Sequence, residues 1–298
     1  MSRWRTLARV ILGTVMAPVV MYAQAPVPPP TPPNPVRPGP WRMAGNVPCV
    51  GPWGGVFECP PAPGTAAIRA GRMFDSISGQ MLTRQVIVIN GERITEVGPE
   101  GKVTIPAGAR VIDLSNATVL PGFIDTHTHV FNTRGKMTSD QSMLIAVENV
   151  QSNMRAGFTS LRDMGSHGNG FQDVDLKNAI NRGAIDGPRM LVSGRGIAWG
   201  ATPPTGAPDN GLGNYIIRSA EEGRAAVRAV FENGAEHIKL YPTGGYKFDE
   251  KGVPQYGATY PLDVLQAIIE ETHKHGKRAG CHSFGGDGLR NTVVAGCD

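Results

Sequence analysis

The sequence lacks several things, and each shortage removes a class of protein. Four cysteines among 298 residues are too few for a disulfide scaffold. The 39 glycines and 25 prolines follow no three-residue period, which excludes a collagen-like chain. No apolar run approaches the roughly 20 residues of a membrane-spanning helix, and the mean hydropathy of −0.18 argues against a polytopic membrane protein. Net charge is also missing from the body of the chain. The formal +4 comes from Arg3, Arg5 and Arg9 at the start and from an excess of one cation within 26–63. Residues 64–298 are neutral, so no electrostatic footprint for nucleic acid exists.

The first 25 residues read as a signal peptide. Three arginines precede the 13-residue apolar run from Val10 to Tyr22, which ends in Ala23-Gln24-Ala25, an A-x-A site. An uncleaved anchor or a buried core helix is the alternative, but the run is short and contains Pro18. The expected location is therefore periplasmic or secreted, without a stable membrane anchor. Residues 26–63 hold 14 of the 25 prolines and read as an extended linker. Cys49 and Cys59 at its end either close a small loop or stay unpaired. Cys281 and Cys297 sit in apolar segments and read as buried small hydrophobes.

The body opens with strand signals over 64–120. Val86–Ile89, the turn at Asn90-Gly91 and Arg93–Gly98 form a hairpin. Val111–Leu114 and Thr118–Leu120 add two short strands. From Pro121 the pattern becomes strand and helix alternating. The strands are Phe123–His127, Thr159–Arg162, Met190–Val192, Ile238–Tyr241 and Arg278–His282. Between them lie helical patterns at Ser142–Ala156, Ala220–Phe231 and Leu262–Lys274. Repeated βα units imply a parallel sheet with right-handed crossovers.

Three signals carry chemistry. His127 and His129 stand at i and i+2 at the end of an apolar strand, so both imidazoles face one way and form a natural chelate for a divalent metal. Lys239 lies inside the apolar strand His237-Ile238-Lys239-Leu240-Tyr241. Either its stem is buried and its ammonium reaches water, or its pKa is depressed and it reacts with carbon dioxide to give an anionic carbamate ligand. His282 ends the fifth strand. Alone it reads as a histidine satisfied by backbone; beside the others it reads as a ligand. Asp163 fits a capping or barrel-lining role. His273 and His275 suit a helix C-terminus. His167 lies in a loop within reach of substrate, and Tyr246, Lys247, Tyr256 and Tyr260 follow the fourth strand as pocket-lining candidates.

Together these residues resemble the metal-dependent amidohydrolase superfamily, in its imidazolonepropionase and prolidase-like branch. The matching stretches run from Ala67-Ile68-Arg69-Ala70-Gly71-Arg72 through Val119-Leu120-Pro121-Gly122 to His127-Thr128-His129. They continue with Ala156-Gly157-Phe158-Thr159-Ser160-Leu161-Arg162-Asp163, Gly187-Pro188-Arg189, Ile238-Lys239, Gly244-Gly245 and Gly280-Cys281-His282. The resemblance implies an α/β fold, a (β/α)8 TIM barrel with a small β-sandwich domain. It implies two divalent ions, for which zinc suits the donors: one on His127 and His129, one on His282, with carbamylated Lys239 bridging. It also implies cleavage of amide bonds in N-acyl amino acids or dipeptides, with a homo-oligomer allowed.

The alternatives are a mononuclear cyclic-amide hydrolase or deaminase of the same superfamily, or a non-catalytic envelope protein. Phe284 stands where the family pattern has a second histidine, and Gly200–Gly206 replaces a Thr-Gly-Gly-His-like loop. The family continues past Asp298 into a sixth-strand histidine and an eighth-strand general-base aspartate. The 178 residues from Pro121 hold about five βα units where a complete barrel takes about 250 residues. The chain therefore reads as C-terminally truncated and inactive alone.

Overall fold

The computed structural model describes residues 49–50, 56–57, 64–131, 137–200 and 213–298. The leader, most of the Pro-rich linker, the Cys49–Cys59 pairing and residues 201–206 of the third-strand loop lie outside them. Within the linker, β1 (Cys49–Val50) pairs antiparallel with β2 (Val56–Phe57).

Residues 64–120 form a four-stranded sheet in the order β5-β4-β3-β6. Its strands are β3 (Thr65–Asp75), β4 (Gln80–Asn90), β5 (Arg93–Pro99) and β6 (Arg110–Val119). The expected hairpin is present: Asn90 pairs with Arg93 across Gly91-Glu92, and Gly91 takes φ +63, a value cheap only for glycine. The two short strands expected between 111 and 120 are instead one continuous strand. The break between them is a register shift opposite Ala70/Arg72. Gly71 sits at this shift because a Cβ there would fall 2.0 Å from the Ser115 carbonyl oxygen.

The alternating part begins with β7 (Phe123–Thr128), α1 (Ser139–Arg155), β8 (Phe158–Asp163), α2 (Gln172–Asn181) and β9 (Arg189–Val192). It continues with β10 (Ile197–Trp199), β11 (Tyr215–Ile217), α3 (Ala220–Glu232) and β12 (His237–Leu240). Next come β13 (Thr243–Phe248), β14 (Pro254–Ala258), α4 (Leu262–Lys274), β15 (Arg278–Cys281) and α5 (Gly286–Val294). All five barrel strands read from sequence are present, and α4 spans the expected residues. β7-β8-β9 and β11-β10-β12-β15 form parallel runs. The Glu236 amide donates to the Val192 carbonyl at 2.8 Å, joining the end of the first run to the second. Among the described residues the structure is thus an incomplete barrel.

Local chemistry explains the helix limits. Thr138 opens α1 with a capping box: its hydroxyl accepts from the Gln141 amide while the Gln141 side chain accepts from the Thr138 amide. Ser219 caps α3 through the Glu222 amide at 3.1 Å. The apolar stripes of α3 and α4, including Val227, Val230, Leu265 and Ile268, pack against Ile238, Leu240 and Ala279 of the strands. Each such side chain contributes about 1.5–3 kcal/mol. A second cluster joins α1 and α2 to Leu161, Met190 and Val192.

This packing decides where the polar side chains of β12 go. All four residues of the strand are buried. Ile238 and Leu240 face the helices, so His237 and Lys239 face the barrel interior. On β15 the same alternation sends Ala279 and Cys281 to the helices and His282 inward.

Cys281 and Cys297 are a correction to the sequence reading. They are disulfide-bonded, with a sequence separation of 16, because α5 carries the chain back beside β15. The Asp298 amide donates to the Ala279 carbonyl at 3.2 Å, holding the two segments together. Replacing both cysteines with serine is expected to lower stability by about 3 kcal/mol, the value for a loop of this size. Urea melts of the two forms check this; superimposable melts count against a closed bridge in solution.

Candidate metal centre

The sequence candidates converge at the C-terminal ends of β7, β12 and β15. The His127 and His129 rings lie 5.5 Å apart, edge to face. The His129 Nδ1 is 3.3 Å from the Gly165 carbonyl oxygen. Donation there sets the tautomer and leaves Nε2 free as a lone-pair donor. The charge of Lys239 acts on His127, His129 and His282, most on the first and last, so the lysine lies within electrostatic reach of all three. Burial is the first cause, and neighbouring positive charge the next, that holds all three imidazoles below the usual histidine range, with His129 at about 4. They are neutral near pH 7 and able to ligate.

Lys239 is only 1% exposed, so its ammonium does not reach water. Among the described residues no carboxylate pairs with it; its Nζ lies 5.4 Å from the centre of the Tyr241 ring. Burial first, and the Arg162 guanidinium second, lower its pKa to about 8. A buried amine without a counter-ion is costly, and such an amine is nucleophilic toward carbon dioxide.

The donor set suits a divalent cation in kind: neutral imidazoles and an amine that becomes an oxygen ligand on carbamylation. Among the described residues, no three His, Cys, Asp or Glu side chains converge closely enough to hold a cation. Lys239 would have to complete such a set, and its charge reaches all three imidazoles.

Asp163 supports the group from below. It is fully buried and accepts the Val130 and Gly165 amides at 3.4 and 3.1 Å. It thereby ties the loop after β7 to the loop after β8 and fixes the carbonyl that orients His129. Burial, then the charge of Asp173, keep its carboxyl well above the usual range.

Asp173 is also buried and accepts the Gly194 amide at 2.7 Å. Burial raises its pKa from 3.8 to about 6. The unfolded carboxyl ionises first, so stability falls as pH rises from about 4 to about 6, by roughly 3 kcal/mol. The difference between Asp173→Asn and the parent, from denaturant melts at pH 4 and 6.5, is expected to shift by that amount in favour of the variant at the higher pH. A pH-independent difference would refute the raised pKa.

The remaining candidates divide. His167 stacks on His129 at 3.9 Å with φ +48, a left-handed conformation uncommon for non-glycine residues, in which histidine is among the better tolerated. Tyr260 is not a pocket residue: it is 3% exposed and donates to the Ile197 carbonyl inside the core. His273 pairs with Asp298 at 3.0 Å, and His275 lies 3.8 Å from Glu271. Both are remote in role from the centre. The sequence reading missed Tyr241, although its i+2 spacing from Lys239 was visible. Its ring lies 6.0 Å from that of His282, and burial raises its pKa to about 12. His237 was missed as well. It is buried beside the Asp163 backbone, its ring nitrogens make no hydrogen bond of good geometry, and burial lowers its pKa to about 4.

A parallel βα barrel with imidazoles and a buried lysine at its strand ends defines a class, the barrel hydrolases whose active sites sit at that end. The model of the Amidohydrolase family matches residues 118–297, and the chain belongs to that family. It is similar to a solved Xaa-Pro dipeptidase with methionine bound in its active site. The TM-score is 0.67 and the identity 27%, over 78% of this chain and 60% of the dipeptidase. It is also similar to a putative prolidase from Bifidobacterium longum, with TM-score 0.64 and 28% identity over 80% of this chain and 54% of that one. Adenine deaminase of Rubrobacter xylanophilus is 33% identical over 76 residues, 26% of this chain and 12% of the deaminase. The chain thus spans less than two thirds of each of these relatives.

Proposed function

We propose that this chain belongs to a metal-dependent hydrolase of amide bonds, acting on N-acyl amino acids or dipeptides. The observation that carries the reading is Lys239, buried without a counter-ion among three neutral imidazoles at the strand ends. Lys239 would add to carbon dioxide through its neutral amine: the N–C bond forms as one C=O π bond opens onto oxygen, the nitrogen's proton passes to water, and the carbamate would supply oxygen ligands. His127 and His129 would hold one divalent ion and His282 a second, with zinc suited to these donors. Such ions, when bound, lower the pKa of a water and polarise the scissile carbonyl. The Gly165 carbonyl keeps His129 in its ligating tautomer. Tyr241, with its raised pKa, stays protonated beside His282 and offers an O–H donor to substrate.

Export of the protein is part of this proposal. The Cys281–Cys297 bridge supports it, because disulfides persist in oxidising compartments. Among the described residues, no helix is long and apolar enough to cross a membrane.

A second reading, deamination of a purine ring, is favoured by the similarity to adenine deaminases. Incubating the zinc-loaded protein, in a form long enough to cover the whole length of its relatives, with a panel of N-acyl amino acids and dipeptides, and separately with adenine, distinguishes the two. Release of free amino acid is the expected result. Ammonia from adenine without amide cleavage would replace the first reading with the second.

A further inference from the structure

An aromatic face adjoins the candidate centre, and the chemistry above does not use it. β13 and β14 form an antiparallel hairpin in which Tyr246 lies opposite Tyr256 and Phe248 opposite Pro254. Residues two apart share a face, so Tyr246, Phe248, Pro254 and Tyr256 make one apolar side. Lys247 and Gln255 pair on the other side. Phe284 completes the apolar side, 5.5 Å edge to face from Tyr246 and 6.4 Å stacked on Tyr256.

The platform is built rather than loose. Asp249 accepts the Lys251 and Val253 amides at 2.9 and 2.8 Å and holds the turn. A Cβ on Gly285 would fall 2.8 Å from the Tyr256 ring, so the Phe284 loop is seated directly on that tyrosine. Yet Tyr246, Phe248 and Phe284 remain 50%, 65% and 48% exposed. Three half-exposed rings offer roughly 300 Å², far short of the ~800 Å² each partner gives to a standard protein interface. The area suits a small ligand. The position does too, because the Phe284 ring meets the His282 ring at 4.5 Å, edge to face.

We propose that the Tyr246–Phe248–Tyr256–Phe284 face is a substrate subsite for an aromatic side chain, held against Phe284 while the adjoining amide lies beside His282. This rests on the hydrolase reading above and narrows its substrate class. No charged side chain lies on the face, so it selects flat and apolar groups rather than cationic ones.

Binding and turnover test the two ideas separately. Calorimetry on the full chain compares N-acetyl-phenylalanine amide with N-acetyl-alanine amide. Ring burial and stacking predict about tenfold tighter binding of the aromatic ligand. Phe284→Ala and Tyr246→Ala are each expected to reduce that preference about three- to tenfold, while Glu250→Ala, in the exposed turn between the two strands, leaves it intact. Tyr246→Leu keeps apolar bulk and guards against collapse of the hairpin; it should lose less than Tyr246→Ala. Equal binding of the two ligands by the parent chain overturns the subsite. So does a preference that survives both alanine variants, or a self-association that these variants abolish without any ligand preference. A binding preference without hydrolysis of any amide by the protein in a form covering its relatives' whole length sinks the hydrolase reading and leaves the subsite standing. Hydrolysis with no aromatic preference does the reverse.

Discussion

Replacing His127 and His129 together with asparagine is expected to remove about one equivalent of divalent metal per chain and to reduce amide hydrolysis on the order of 10³-fold. The two imidazoles lie 5.5 Å apart at the open end of β7, and both are neutral near pH 7. Asparagine keeps the size and polarity of the site but is a far weaker ligand. The fold should survive the change. Only His129 makes a hydrogen bond through its ring, to Gly165, and losing it costs about 1 kcal/mol. Elemental analysis after dialysis, beside a thermal melt, separates ligation from support. Unchanged metal content with a lowered melting temperature would mean that the two histidines are structural.

Replacing Lys239 with methionine is expected to act in opposite directions on stability and on function. Lys239 is 1% exposed and has no carboxylate partner among the described residues. Methionine has a similar unbranched shape and no polar atom to desolvate. In chelator-treated protein at neutral pH the variant should be more stable by about 1–3 kcal/mol. A domain of this size then melts several degrees higher. The same substitution removes the amine that the proposed carbamate requires, so metal content and hydrolysis should fall. A stabilised but inactive variant is the signature of a residue kept for chemistry at a cost to folding. A destabilised variant that retains its metal would make Lys239 a packing residue and end the bridging role.

The barrel strands and most helices were legible because their patterns are local. Leu262–Lys274 has apolar residues on one stripe of a 3.6-residue period, and α4 occupies those residues. The β12 strand reads as buried because Ile238 and Leu240 alternate with the site residues. Other features were not legible, for reasons that also follow from the physics. The hairpin β13–β14 turns through Asp249-Glu250-Lys251-Gly252, a longer loop with a weaker signature than the Asn-Gly that marked β4–β5. The strand β6 was read as two because Ser115-Asn116-Ala117 interrupts its apolar pattern, whereas pairing with β3 carries the ladder across that gap.

The family came by resemblance of its motifs, which also drew Lys239 and His282 in as ligands; from residue types and spacing came the alternating strands and helices and the His127–His129 pair. Those depend on periods of two and 3.6 residues, which a chain carries along its own length. Contacts between residues far apart in sequence depended on the path the helices impose. That path brought Cys297 to Cys281 and buried Tyr260 in the core. It also set Asp163 beneath His129 through Gly165 and placed the Phe284 ring between His282 and an aromatic hairpin. A side chain's direction follows from its own strand, whereas its partners follow from which strands the crossovers make neighbours.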